Sequence, residues 1–210
     1  MPSYKQLISP SLPFPPLSWW IMALETKNVV WDVAEHYQKM SYRNRYYLAG
    51  PGGRQLMSLP LHSGRNQRKA VKDVMISNDT DWQSQHWKTI TSLYRRSPFF
   101  EYYEHLLLPL FEERYESLHA WNKAGARLIA GLLKLDISFS ETGVYRQHYA
   151  ESDVLDIRTS FVPQAGPPLP VPEYHQVFSE RCGFQPDCSI LDLLFCEGNY
   201  SASLLEKGIT

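Results

Sequence analysis

Four prolines within seven residues, Pro10, Pro13, Pro15 and Pro16, directly follow the short apolar stretch Gln6-Leu7-Ile8-Ser9, and they constrain this chain more than any other feature. Each proline removes a backbone donor and disfavours helical geometry in the residue before it, so a strand must stop near Ser9 and the chain must turn. Leu17 to Leu24 then predicts a short helix, because Pro15 and Pro16 are tolerated at or just before a first turn whose amides have no helical partner. Asn28-Val29-Val30-Trp31-Asp32-Val33 is β-branched and aromatic over the length of a strand. Strand, turn, helix, strand is the opening of an α/β fold.

Tyr46 to Ala49 and Gln55 to Leu61 flank Gly50-Pro51-Gly52-Gly53 and predict a hairpin, since Gly and Pro supply the backbone angles of a reversal. Val71, Val74 and Ile76 suggest one more short strand or crossing segment. From Trp82 the apolar residues take a helical period, with Trp82, His86, Ile90, Leu93 and Tyr94 on one face before Pro98 interrupts. Phe111, Tyr115, Leu118, Trp121, Gly125, Leu128, Leu132 and Leu135 recur at steps of three and four. They predict a single amphipathic helix from Leu106 or Pro109 through Leu135. Ile137 and Phe139 return to strand-like alternation, and the five prolines between Val162 and Pro172 predict an extended connector. Beyond it, Ser189, Asp192 and Gly198 are start and stop signals around a helix whose Ile190, Leu191, Leu193, Leu194 and Phe195 cover nearly every side, so it should be buried. The expected architecture is α/β: an N-terminal mixed sheet with short helices, long amphipathic helices in the middle and a buried short helix at the C-terminal end.

Charge is unevenly distributed along the chain. His36 to Lys72 carries eight Lys or Arg residues and no Asp or Glu, although the formal net charge is only -1. A surface of one sign attracts the other, so an anionic small molecule is the first candidate ligand, and a solvated basic face is the alternative. A sequence pI near 6.7 speaks against a nucleic-acid-binding domain, which is strongly basic. The three cysteines, Cys182, Cys188 and Cys196, are odd in number and form no C-x-x-C pair, which indicates neither a disulfide framework nor a zinc knuckle. No paired ligands at helical spacing point to a metal, and no cofactor is indicated. No apolar run is long enough to span a bilayer, and the prolines interrupt any signal-peptide core, so a cytoplasmic protein is expected.

In open α/β sheets ligands bind outside the carboxyl ends of the strands. That rule unites Ser11 in the proline-rich turn, Asp32 at the end of the second strand and the segment from His36 to Arg45. Lys39, Arg43 and Arg45 are candidates for an anionic group, Arg most of all because its planar fork binds two oxygens at once. Tyr37, Ser41 and Asn44 would complete substrate binding, or would serve as turn caps. For proton transfer the candidates are His36 and His86, with Asp32 as an orienter, because imidazole titrates near neutral pH and needs a partner to fix its tautomer. The turn contains neither His nor Gly, so the nucleotidyltransferase chemistry of a His-x-Gly-His turn after a first strand is not supported.

Several segments, in order along the whole chain, carry a resemblance to a known family. They are Ser11-Leu12-Pro13-Phe14-Pro15-Pro16, His36-Tyr37-Gln38-Lys39 with Ser41-Tyr42-Arg43-Asn44-Arg45, and Trp82 with His86-Trp87. Ser97-Pro98-Phe99-Phe100-Glu101-Tyr102-Tyr103, Tyr174-His175-Gln176-Val177-Phe178 and Ser189 to Phe195 complete the set. With these segments the chain resembles the WbqC-like family. The resemblance implies a bacterial protein similar to products of surface-polysaccharide gene clusters, and one domain over 1–210, with an α/β part (1–80), a helical part (81–136) and a C-terminal part (137–210). Its expected role is a transferase-type enzyme acting on a phosphorylated or nucleotide-activated substrate, the alternative being a non-catalytic binding or scaffold module. Many relatives have Gln-Pro where this chain has Ser9-Pro10.

Overall fold

The computed structural model describes residues 4–62, 69–149, 152–163 and 166–209. Its centre is β1 (Gln6–Ser9), whose Leu7 and Ile8 are almost wholly buried because the strand is flanked on both sides. It pairs in parallel with β2 (Asn28–Trp31) on one side and β6 (Val154–Asp156) on the other, and β5 (Ser138–Glu141) adds in parallel to β2, giving the order β5-β2-β1-β6. Buried parallel strands are near-continuously apolar, which Val29, Val30 and Trp31 satisfy.

Between β1 and β2 lies α1 (Leu17–Thr26), which begins immediately after Pro16 and ends at Lys27 in the left-handed region, φ 56. Nine of its ten residues are buried, so its indoles need partners. Trp19 Nε1 donates to Ser9 Oγ at 2.7 Å and Trp20 Nε1 to the Pro15 carbonyl at 3.2 Å. The open first turn is capped from far along the chain: the Ser18 amide and hydroxyl both donate to the Asp187 carboxylate at 2.8 Å.

The hairpin forms as the glycine pattern requires, with β3 (Arg45–Gly50) antiparallel to β4 (Gly53–Ser58) around Pro51-Gly52, and Gly53 holding φ 104. Val71–Asp73 is a single 3-10 turn rather than a strand, while Ile76 makes an isolated bridge to Leu61. The helix α2 (Trp82–Tyr94) buries Trp82, His86, Ile90, Leu93 and Tyr94, the face that the period defines.

After α3 (Phe100–Leu107), the single helix expected from Leu106 or Pro109 through Leu135 is instead two, α4 (Pro109–Glu112) and α5 (Leu118–Leu132). Glu113 turns extended at ψ 134, and the residues up to Ser117 run alongside 74–76. There the Ile76 amide donates to the Glu116 carbonyl at 2.8 Å and the Leu118 amide to the Val74 carbonyl at 3.0 Å. Ser117 then restarts the helix, its Oγ accepting from the Ala120 amide.

Between the connector and the C-terminal helices lies α6 (Ser179–Cys182). As expected, α7 (Ile190–Glu197) is capped by Ser189 and closed by Gly198, and every residue from Ile190 to Cys196 is buried. A further helix, α8 (Tyr200–Lys207), packs on α1 and α7. Asp192, wholly buried within α7, accepts from Tyr94 and from Gln176, each at 2.7 Å, and from the Tyr174 hydroxyl. One carboxylate thus ties α7 to α2 and to the segment before α6, and three polar partners justify its burial. Among the described residues no helix is long and apolar enough to cross a membrane.

Candidate functional site

The carboxyl ends of β1, β2, β5 and β6 meet at one end of the sheet. Asp32, the residue after β2, is 0 % exposed. Its Oδ1 accepts from the amides of Ala34 and Glu35 and from Thr142, just past β5, and its Oδ2 accepts from Arg158 Nη1 at 2.7 Å. Arg158, two residues past β6, also grips Asp156 with Nε at 2.9 Å and Nη2 at 2.6 Å. Its remaining donors reach the Arg146 and Gln147 carbonyls. Two carboxylates hold the Arg158 guanidinium firmly charged. Burial pushes Asp156 up, but the hydrogen bonds from the Arg158 side chain and backbone outweigh it and leave that carboxyl below its usual range.

A second pair stands beside the first. Arg43 forks onto Glu35, Nε to Oε1 at 2.8 Å and Nη2 to Oε2 at 2.7 Å, and Nη2 also reaches the Arg158 carbonyl at 3.1 Å. Both side chains are nearly inaccessible, 2 % and 4 % exposed. Burial pushes the Glu35 carboxyl above its ordinary value, against the pull of Arg43. A buried pair this well aligned is costly to break on one side only.

The helix α5 fixes the loops above this floor. Asn122 Nδ2 donates to the Ser11 and Arg43 carbonyls, both at 3.1 Å, so one amide holds the turn after β1 against the turn before β3. His119 Nδ1 lies 2.8 Å from Ser11 Oγ, and its Nε2 is 3.1 Å from Glu141 Oε1 without the alignment of a hydrogen bond. Burial pushes the His119 imidazole down, with Glu141 pulling it back.

The residues singled out by the sequence meet different fates in the fold. Asp32 is where it was expected, but its contacts go to Arg158, Thr142 and two amides rather than to a histidine. Arg43, read as an anion-binding fork, is instead occupied by Glu35, because burial demands a partner for its charge. Asn44 spends its amide on Tyr37 and on the Leu59 carbonyl, and Ser41 caps the 3-10 turn Tyr42–Asn44, so the capping alternative describes both. Ser11 is buried against His119. His36 and Lys39 are exposed, and the His36 ring lies 6.4 Å from that of Tyr145. Arg45 is half-buried, its Nε enclosed and without a hydrogen-bond partner.

His86 is not at the strand ends. It is buried between Trp82 and Tyr46, with Nδ1 2.9 Å from the Tyr46 hydroxyl and Nε2 3.3 Å from the Ser58 carbonyl, and burial pushes it down to about 4. It is neutral at physiological pH and acts as a core residue. Arg54 is likewise engaged, by Tyr42 at 2.6 Å and over the Tyr47 ring, whereas Arg65 and Arg68 of the basic stretch lie outside the described residues. The thiols of Cys188 and Cys196 are pushed up by burial and are inert.

A profile of the WbqC-like protein family matches residues 13–162, which include Asp32, Glu35, Arg43, Asp156 and Arg158. The chain belongs to this family. No curated protein and no solved structure matches it. The matched span covers every strand end except that of β1, whose last residue is Ser9, so the ionic floor lies almost entirely within the family's shared region.

Arg158, Asp156, Glu35, His119 and Asn122 are absent from the sequence-based set. A signal for the first two existed: Val154-Leu155-Asp156-Ile157 has the same strand-then-aspartate form as Val29-Val30-Trp31-Asp32.

Proposed function

We propose that this WbqC-like protein is a transferase-type enzyme of bacterial surface-polysaccharide biosynthesis, with a phosphorylated sugar bound at the strand ends. The observation that supports this reading is the convergence of Asp32, Asp156, Arg158 and Thr142 from the ends of three strands of the parallel sheet onto one ionic floor centred on the buried Asp32–Arg158 pair. Open α/β sheets carry ligands at this end, and a floor whose dipoles are already fixed need not reorganise during reaction. Above it stand an exposed imidazole, His36, and the half-exposed ring of Tyr145, which also lies 5.6 Å from the Arg158 guanidinium. Tyr145 offers a stacking face to a sugar ring and His36 a group for proton transfer. The floor itself, with three carboxylates against two guanidinium groups, does not attract the phosphate. That role falls to the exposed Lys39 and the half-buried Arg45.

Ligand-observed saturation-transfer NMR with N-acetylglucosamine 1-phosphate tests the reading. Saturation should reach the sugar ring protons in the wild type and vanish in Tyr145→Ala. A signal that survives Tyr145→Ala unchanged, or none in the wild type, would leave the basic segment as a docking face of a non-catalytic module.

A further inference from the structure

A cavity of about 1100 Å³ opens between α2, the end of α7 and the segment around His175, away from the strand ends. Thr91 and Ser92 on α2, and Arg95 at its C-cap, follow Lys88 at steps of three, four and seven, so all four share the face that borders the cavity. Arg96 and His175 extend this basic rim. Among the described residues no Asp or Glu lines the cavity. Among the described residues Lys88, Arg95 and Arg96 form no ion pair and no side-chain hydrogen bond, and all three are exposed. The strand ends are the opposite case, since Arg43 and Arg158 there already hold carboxylates.

Cations at a helix C-terminus have an ordinary explanation in the helix dipole. The end of α2 carries the equivalent of only about half a negative charge, so three full cations leave a large surplus. A concave surface with uncompensated positive charge concentrates anions. The same cavity has an aromatic side: Trp87 and Phe178 line it together with Val177. Trp87 is braced from within by Phe100, ring centroids 6.1 Å apart and inclined by 29°. Flat rings next to free guanidinium groups suit a nucleobase and its phosphates. The volume is slightly above the roughly 300–1,000 Å³ typical of sites for ligands of that size, and far exceeds what a lone phosphate fills.

We propose that this groove binds a nucleoside diphosphate, with the base against Trp87 and Phe178 and the diphosphate between Lys88, Arg95 and Arg96. The inference does not depend on the strand-end reading, because the two sites share no residue.

Isothermal titration calorimetry of the full chain with UDP, ADP, uridine and inorganic pyrophosphate tests it. One or both nucleotides should bind, pyrophosphate about tenfold more weakly for want of stacking, and uridine not measurably. Arg95→Glu/Arg96→Glu should weaken nucleotide binding about a hundredfold, roughly tenfold for each charge-assisted contact. Should that double variant fail to fold, Lys88→Glu reads the same rim. His36→Ala and Tyr145→Ala should leave nucleotide affinity unchanged, which separates this site from the strand ends. The proposal is overturned if neither nucleotide binds, if pyrophosphate binds as tightly as the nucleotides, or if charge reversal leaves affinity unchanged.

Discussion

Acidification should destabilise this protein through His86. An unfolded histidine titrates near 6.5, whereas burial pushes His86 down to about 4 in the fold. The phenol of Tyr46 is itself pushed up by burial, so it stays protonated and donates to Nδ1, which leaves Nε2–H to face the Ser58 carbonyl. As pH falls, the unfolded chain takes up the proton first. The contribution of neutral His86 is therefore fully present above about pH 6.5, is lost progressively below it, and levels off near pH 4. Two and a half pH units at about 1.4 kcal/mol each set a ceiling of about 3 kcal/mol, of which roughly 1 kcal/mol is gone by about pH 5.5. Urea unfolding of wild type and His86→Gln between about pH 7.5 and pH 4.5 isolates the effect, because other titrating groups are common to both. Wild type should lose about 2 to 3 kcal/mol more than the variant over that range. Equal losses, or a His86 imidazole resonance in NMR with a midpoint near 6.5, would refute the reasoning.

Two further outcomes follow from burial. Leu194→Ala removes a side chain of α7 that is 0 % exposed and should cost about 2 to 5 kcal/mol in chemical denaturation. Arg43→Ala leaves the enclosed Glu35 carboxyl without its partner, so it should cost about 3 to 5 kcal/mol of stability, while the paired replacement Arg43→Met with Glu35→Leu should recover most of that loss. A near-neutral Arg43→Ala would mean that the pair does not stabilise the fold.

The opening strand, proline turn, helix and strand were legible in the sequence because each is decided by neighbouring residues. The hairpin and the capped helix α7 were legible for the same reason. The interruption before α5 was not, because Phe111, Tyr115, Leu118 and Trp121 keep a helical period across it, and the break is imposed by pairing with residues 74–76. Asp32 was legible as a strand-end carboxylate, but its partner Arg158 is 126 positions away, a distance over which sequence spacing says nothing. Arg43 was misread for a narrower reason. The acid-free stretch beginning at His36 starts one residue after Glu35, the carboxylate that occupies it. A one-signed charge run has meaning only once its flanking opposite charges have been placed in space.

The clasp between Ser18 and Asp187 joins positions 169 residues apart, and Asp187 lies beyond the span that the family profile covers. Cutting the chain at that profile's edge would strip the opening helix of its acceptor and expose the apolar flank that α7 and α8 cover. The matched span is therefore smaller than the piece that holds itself together, and any shortened version made for experiment must keep the tail.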